Sequence, residues 1–505
     1  MYKIRFIIIS LLVLSLAVSS CKKKIDPADP EVEIPRDISQ FIWNGMYDYY
    51  LWYNDVSKLN PASYPTTDDW YRYLNSFDTD YEALFEDLLY QRDVVDKWSW
   101  IVDDWEVQEQ SFSGISTSMG YDFRLYVYEG DKIFGYVRYV LPGSPAETAG
   151  IERGDIFMKV DGQQLTISNY YSLLFEQVDY ELGFAALNGS VPYVTGETVN
   201  LSAVVLQEDP VFYADILDIG DNLKTAYLVY NAFTSDFDAT LNDAFGYFKS
   251  ENVDRLILDL RYNGGGSIRS AVHLASMIYS TDITKIFSQN SYNNKLQSYV
   301  ISEYGVDFVT EYFTNKLDTT TLNYQVMPEL PDINSLGLNE VYIIATGSTA
   351  SASEMIINGL DPYINVIQIG TKTVGKYVGS ITVKDYYTYS YLNPDHKWAM
   401  QPIVLKIANS AGVSDYIGGL EPDVVAYEYI DELKPFGDPD EPLLAATIDY
   451  ILGGTKSAGF KSAKVRVDYD FVADSKDINP WANEMYLRYP KFEAGEFFPF
   501  SDFKK

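Results

Sequence analysis

Hydrophobic positions along this chain follow a helical period, then a strand period, then an alternation of the two. From Asp37 onward Phe41, Ile42, Met46, Tyr49, Tyr50, Trp52 and Tyr53 recur at three- and four-residue spacing, which predicts an amphipathic helix. Further helices are predicted over Asp68–Phe77 and Tyr81–Gln91, with Trp98–Ile101 closing a small helical unit. Aromatic stripes at this spacing read as helix-packing core and carry no catalytic role. From about Ser111 the period becomes two, and Tyr121–Tyr128 and Lys132–Leu141 read as strands. After Pro210 strands and helices alternate: Ala226–Tyr230, Asp236–Ser250, Arg255–Leu260, Ile268–Tyr279 and Val366–Gly370. That order predicts an open α/β domain. The Tyr- and Asn-rich stretch from Ser288 to about Leu336 is less regular, and the last fifty residues alternate too weakly to assign.

One stretch of the α/β part stands out, Val341–Leu360. A β-branched run (Val341, Ile343, Ile344) meets a small-residue turn, Gly347 to Ala350, and then an amphipathic helix beyond Ser351-Ala352-Ser353-Glu354. A serine at such a junction has two readings. It can cap the helix, with Glu354 completing a capping box from Ser351. It can equally be a nucleophile held among free N–H groups at the positive end of the helix.

Composition narrows the chemistry. Acidic residues outnumber basic ones by 72 to 38, and no basic stripe interrupts them, which opposes binding to nucleic acid. There are two histidines, His273 and His396, too few for a zinc site of two or three histidines or a HExxH helix; no metal or other cofactor is expected. His273 lies in an apolar run and reads as structural, and His396 sits in a polar turn, so acid–base work falls to Lys, Glu, Asp or Tyr. The single cysteine, Cys21, follows a Lys3/Arg5 segment and an apolar run from Phe6 to Val18. This is a signal peptide, and Val18-Ser19-Ser20-Cys21 resembles a bacterial lipobox in which the cysteine is lipidated. The reading predicts a membrane-anchored protein of the bacterial envelope, on its periplasmic or outer face, behind a Lys22–Pro35 tether.

Two further motif groups carry resemblances. Ser144-Pro145-Ala146 through Gly150-Ile151, then Arg153-Gly154-Asp155-Ile156 and the Asp161-Gly162 turn, resemble a PDZ domain. Such domains take an extended peptide as an added strand. Gly120-Tyr121-Asp122-Phe123 stands where the carboxylate-binding loop belongs, with Asp122 in place of the usual second glycine. Lys376 lies 25 residues after Ser351, one helix and one strand onward, so it can return to the same sheet edge. Valines 374 and 378 flank it, and lowering a lysine pKa by about three units costs roughly 4 kcal/mol, which burial can supply.

Together, DLRYNGGG at Asp259–Gly266, STASASE at Ser348–Glu354, GTKTVGK at Gly370–Lys376 and GLEPD at Gly419–Asp423 resemble the C-terminal processing peptidases. These are serine–lysine endopeptidases with a PDZ domain. The resemblance implies a crotonase-like core, Ser351 as nucleophile, Lys376 as general base, and the N–H groups of Ala352 and Gly265 as oxyanion hole. It also implies a protein or peptide substrate, cut near its C-terminus when unfolded. The glutamine that often follows the lysine by four residues is Ser380 here, expected to orient it, and the usual NPGG is Asn263-Gly264-Gly265-Gly266. The expected organisation is a signal peptide at 1–20, a tether at 21–36, a helical domain at 37–110, a PDZ-like domain at 111–208, an α/β protease core at 209–455 and an extension of unassigned role at 456–505. A non-cleaving envelope lipoprotein that binds peptides or glycans is the rival. A crotonase-type acyl-CoA enzyme suits the core but leaves the signal peptide and PDZ motifs unexplained.

Overall fold

The computed structural model describes residues 32–220, 222–317, 330–388, 391–453, 469–477 and 479–487. The expected signal peptide, Cys21 and most of the expected tether lie outside these residues. The N-terminal unit opens with the helix Asp37–Tyr49, which buries Phe41, Ile42, Trp43 and Met46. The helix Thr67–Asn75 follows behind a Thr66/Asp69 capping box, and then the helix Tyr81–Asp87. The last helix ends at Asp87, short of the Gln91 expected, where the chain passes into turns. Trp100–Val102 does not merely close the unit: it pairs as a strand with Ala399–Gln401, so the helical unit is sewn to the core.

The PDZ domain is a β-sheet in which Tyr121–Glu129, Lys132–Val140, Ile156–Val160, Asp179–Asn188 and Val191–Ser202 pair in that order. Its short helix Pro145–Thr148 is capped by Ser144, whose hydroxyl accepts the Glu147 N–H at 3.1 Å. Asp161 and Gly162 both have positive φ, which a two-residue hairpin with a mirror-image turn requires.

The core sheet runs Val211–Asp218, Lys224–Tyr230, Arg255–Asp259, Glu340–Ala345, Asn365–Gly370 and Val424–Val425. All but the first pair are parallel. Its central strands are almost wholly buried, as expected when both faces are covered. In a parallel sheet the loops after each strand emerge at one edge. Here those loops are Leu260–Gly265, Thr346–Ser351 and Thr371–Tyr377. A second sheet stands beside them: Gly266–Ser267, Met485–Tyr486, Val378–Ser380, Ile403–Asn409, Ile286–Tyr292 and Thr310–Tyr312.

The weakly patterned C-terminus is built into both parts. Asp470–Asp474 adds an antiparallel strand to the Tyr121–Glu129 edge of the PDZ sheet. Met485–Tyr486 then lies between Gly266–Ser267 and Val378–Ser380, parallel to both.

Candidate active site

Ser351 sits immediately before the helix Ala352–Leu360, with φ 67° and ψ −117°. A side chain in that region, normally left to glycine, costs on the order of 1–3 kcal/mol. The strain points the serine out of the strand–turn–helix corner, as in a nucleophile elbow. Its hydroxyl makes no hydrogen bond among the described residues, so Ser351 does not cap the helix through its side chain. Only the other half of the expected capping box is made: Glu354 accepts the Ser351 N–H at 2.8 Å.

Glu354 does more than cap. It also accepts the Gly375 N–H at 2.7 Å, the Lys376 N–H at 2.8 Å and the Thr373 hydroxyl at 2.5 Å. One buried carboxylate thus clips the serine turn to the lysine loop. Burial pushes its pKa up, against those donors. Nothing in the spacing of SASE points to these distant partners, and sequence reasoning saw only the cap.

Lys376 is 1% exposed and Ser351 fully buried. The lysine Nζ lies 5.1 Å from the Trp98 ring centroid and donates to Glu484 Oε2 at 2.9 Å. Burial lowers the Lys376 pKa, with Glu484 opposing; burial likewise raises that of Glu484, with Lys376 opposing. Low dielectric therefore pushes both partners toward their neutral forms.

Ser380 does not reach the lysine, as its place four residues on had suggested. A serine is too short, and its hydroxyl donates to Glu484 Oε1 while accepting from Gln401 Nε2 at 2.7 Å. Ser380 therefore steadies the carboxylate that holds Lys376, and Glu484, from the unassigned C-terminus, does the holding.

Gly265 packs directly on the serine: a Cβ there would lie 2.6 Å from Ser351 Cβ, and its φ of +116° favours glycine. Its N–H, however, donates to Asn263 Oδ1 at 2.9 Å, so it does not face an oxyanion position in this state. Ala352 is the first helical residue, and its N–H has no carbonyl four residues back to meet. Ser353 donates to the Asn263 carbonyl at 3.1 Å and is structural here. His273 pairs with Asp238 at 2.8 Å and is buried, and His396 pairs with Asp385 at 3.0 Å.

In the Gly120–Phe123 loop, Asp122 points inward to the buried Arg138, which donates to it at 3.1 Å through Nη2. The departure from glycine at this position thus supplies an internal ion pair.

Residues 224–425 match peptidase family S41, residues 37–100 its N-terminal domain and residues 136–177 a PDZ domain. The chain is 23% identical over 237 residues to the carboxyl-terminal-processing protease of Picosynechococcus sp., which covers 47% of this chain and 49% of that one. It is 24% identical over 252 residues to carboxyl-terminal-processing peptidase 3, chloroplastic, of Arabidopsis thaliana, covering 46% and 41%. The chain therefore spans about half the length of the curated relatives it matches. Among solved structures it is similar to a Bacteroides fragilis protein assigned to the S41 proteases, at 27% identity and a TM-score of 0.60, covering 83% of this chain and 98% of that one.

Proposed function

Since the chain belongs to peptidase family S41 and carries a PDZ domain, we propose that it is a serine endopeptidase working through Ser351 and Lys376. The observation that carries the reading is the strained, unpartnered Ser351 hydroxyl at a helix N-terminus, clipped through Glu354 to the loop of a buried lysine. A lysine in that environment can be neutral at ordinary pH and can accept the serine proton. Ser351 then attacks the scissile carbonyl, Lys376 returns the proton to the leaving amine, and water hydrolyses the acyl-enzyme. Ala352 N–H is one donor for the oxyanion. A second comes from the Gly264–Gly266 loop once Gly265 turns away from Asn263.

The substrates in this reading are unfolded or C-terminal segments of envelope proteins, which the PDZ domain and the lipobox expected at Cys21 support. The test is a digest of a denatured protein with mass-spectrometric mapping of the cuts. Ser351→Ala should abolish cleavage. Lys376→Arg keeps a cation for Glu484 but cannot lose its proton, so it should lose roughly 10³-fold or more. Full activity of either variant refutes the assignment, and no cuts by the native chain would favour the non-cleaving peptide- or glycan-binding lipoprotein. Cys21→Ser should release the protein from membranes; unchanged fractionation refutes the anchor.

A further inference from the structure

The approach to Ser351 is covered by the chain's own C-terminal segment, and the cover is attached where a substrate would be. Asp470–Asp474 lies antiparallel on the PDZ edge strand, in register from Asp470 opposite Val127 to Asp474 opposite Arg124. Ser475 continues the pairing, donating its N–H to the Phe123 carbonyl at 2.9 Å and accepting the Phe123 N–H on its hydroxyl at 3.1 Å. Val472 packs on the PDZ core. The segment thus adds a strand running toward the Gly120–Phe123 loop, as an extended peptide ligand does.

At the loop end the Asp474 carboxylate takes Arg124 Nη2 at 2.6 Å, Arg138 Nη1 at 2.7 Å and the Ser348 hydroxyl at 3.0 Å. Ser348 belongs to the turn that carries Ser351, so one side chain pins PDZ domain, tail and serine turn together. Beyond it the tail backbone crosses the glycine loop. A Cβ on Gly264 would lie 2.0 Å from the Ala482 carbonyl oxygen, and one on Gly265 2.6 Å from that of Glu484. Gly265 is therefore held between Ser351 on one side and the tail on the other. Asn479, Trp481 and Ala482 wall a cavity of ≈ 240 Å³ that also touches Gly264–Gly266 and the PDZ loop. Finally Glu484 engages Lys376, and Leu487 donates its N–H to the Ser380 carbonyl at 3.1 Å.

We infer, building on the protease reading, that residues 470–477 and 479–487 are an intramolecular ligand. They occupy the PDZ edge and the path across the oxyanion loop, hold the enzyme at rest, and leave when an extended substrate peptide with a free C-terminal carboxylate takes the edge. The exchange is close to one for one. A peptide strand replaces the backbone pairing of Asp470–Asp474, and its terminal carboxylate replaces that of Asp474 on Arg124 and Arg138. With the tail gone, Glu484 leaves Lys376 and the glycine loop is open to a scissile carbonyl.

Phe471 and Tyr126 face each other in the register, and Cys21 is the chain's one cysteine. A full-length chain with Cys21→Ser, Tyr126→Cys and Phe471→Cys therefore carries a single disulfide that locks the tail. Oxidised, it should cleave β-casein about tenfold more slowly or worse than when reduced, with reductant restoring the rate. Equal rates in the two states overturn the proposal. A second readout needs no turnover: amide exchange in the Ser351→Ala protein with excess β-casein. Residues 470–475 and 485–487 should exchange faster by about tenfold while Tyr121–Glu129 stays protected by the incoming strand. Unchanged protection of the tail overturns the proposal, whereas faster exchange without any cleavage by the native chain would fault the protease reading alone.

Discussion

Two clusters of buried charge join the PDZ domain to the α/β core, and they are assembled from different kinds of parts. In one, Arg153 of the PDZ domain donates to Glu428 at 2.6 Å and to Glu441 at 3.2 Å and stacks on Phe436. Arg261 of the core donates to Asp259 at 2.7 Å and to Glu441 at 2.9 Å. Glu441 also caps the helix Pro442–Ile451 and Asp259 ends the core strand Arg255–Asp259, so two of the three carboxylates are fixed by the element that carries them. In the other, Arg124 and Arg138 share Asp474, and Lys376 pairs with Glu484; both acids come from the tail. The tail is held by a five-residue strand at one end and a two-residue strand at the other. The difference teaches that one junction is a permanent fastening and the other a latch whose carboxylates can leave together.

Breaking the permanent junction should cost most. Arg261→Met strands Asp259 and Glu441 in the interior, and such unpaired buried charge costs about 3–5 kcal/mol, read as a lower denaturant midpoint. An unchanged midpoint would make the two junctions equivalent. Breaking the latch should cost less stability and give activity. Burial works against the Asp474 charge, but Arg138 and Arg124 prevail and bring its carboxyl from 3.8 down to about 2. A depressed acid stabilises the fold above its unfolded pKa and loses that contribution as pH falls through the folded value. The grip worth about 2 kcal/mol is therefore complete above about pH 4 and fades toward pH 2. Tail amides should show this acid release, and Asp474→Asn should remove it while speeding casein cleavage. Because Glu428 is also brought down to about 2, against burial, by Arg153 and Arg261, the difference between native and Asp474→Asn profiles is the quantity to measure. The smallest effect concerns the serine itself: Ser351→Gly should relieve its positive φ and raise stability by on the order of 1 kcal/mol while ending cleavage. A loss of stability instead would show that the corner is unstrained.

The same contrast explains what the sequence revealed. The helix from Asp37, the parallel strands and the strand–turn–helix at Ser351 announce themselves, because their periods and glycines are local. The tail is not legible, since its short strands draw their stability from edges hundreds of residues away. Glu484 was hidden for that reason, and so was the true partner of Ser380. Of the acids that Arg153 and Arg261 meet, Asp259 ends a strand two residues before Arg261, while Glu428 and Glu441 stand at loop positions with no spacing rule of their own. Gly265 could be placed beside Ser351 from the glycine loop, but the capture of its N–H by Asn263 depends on a rotamer that no motif encodes.

The most direct measurement is the site and rate of covalent labelling by a serine-reactive phosphonate, mapped by mass spectrometry. The account predicts an adduct on Ser351, formed faster in Asp474→Asn than in the native chain and lost in Lys376→Arg. An adduct on another residue, or undiminished labelling of Lys376→Arg, would contradict it.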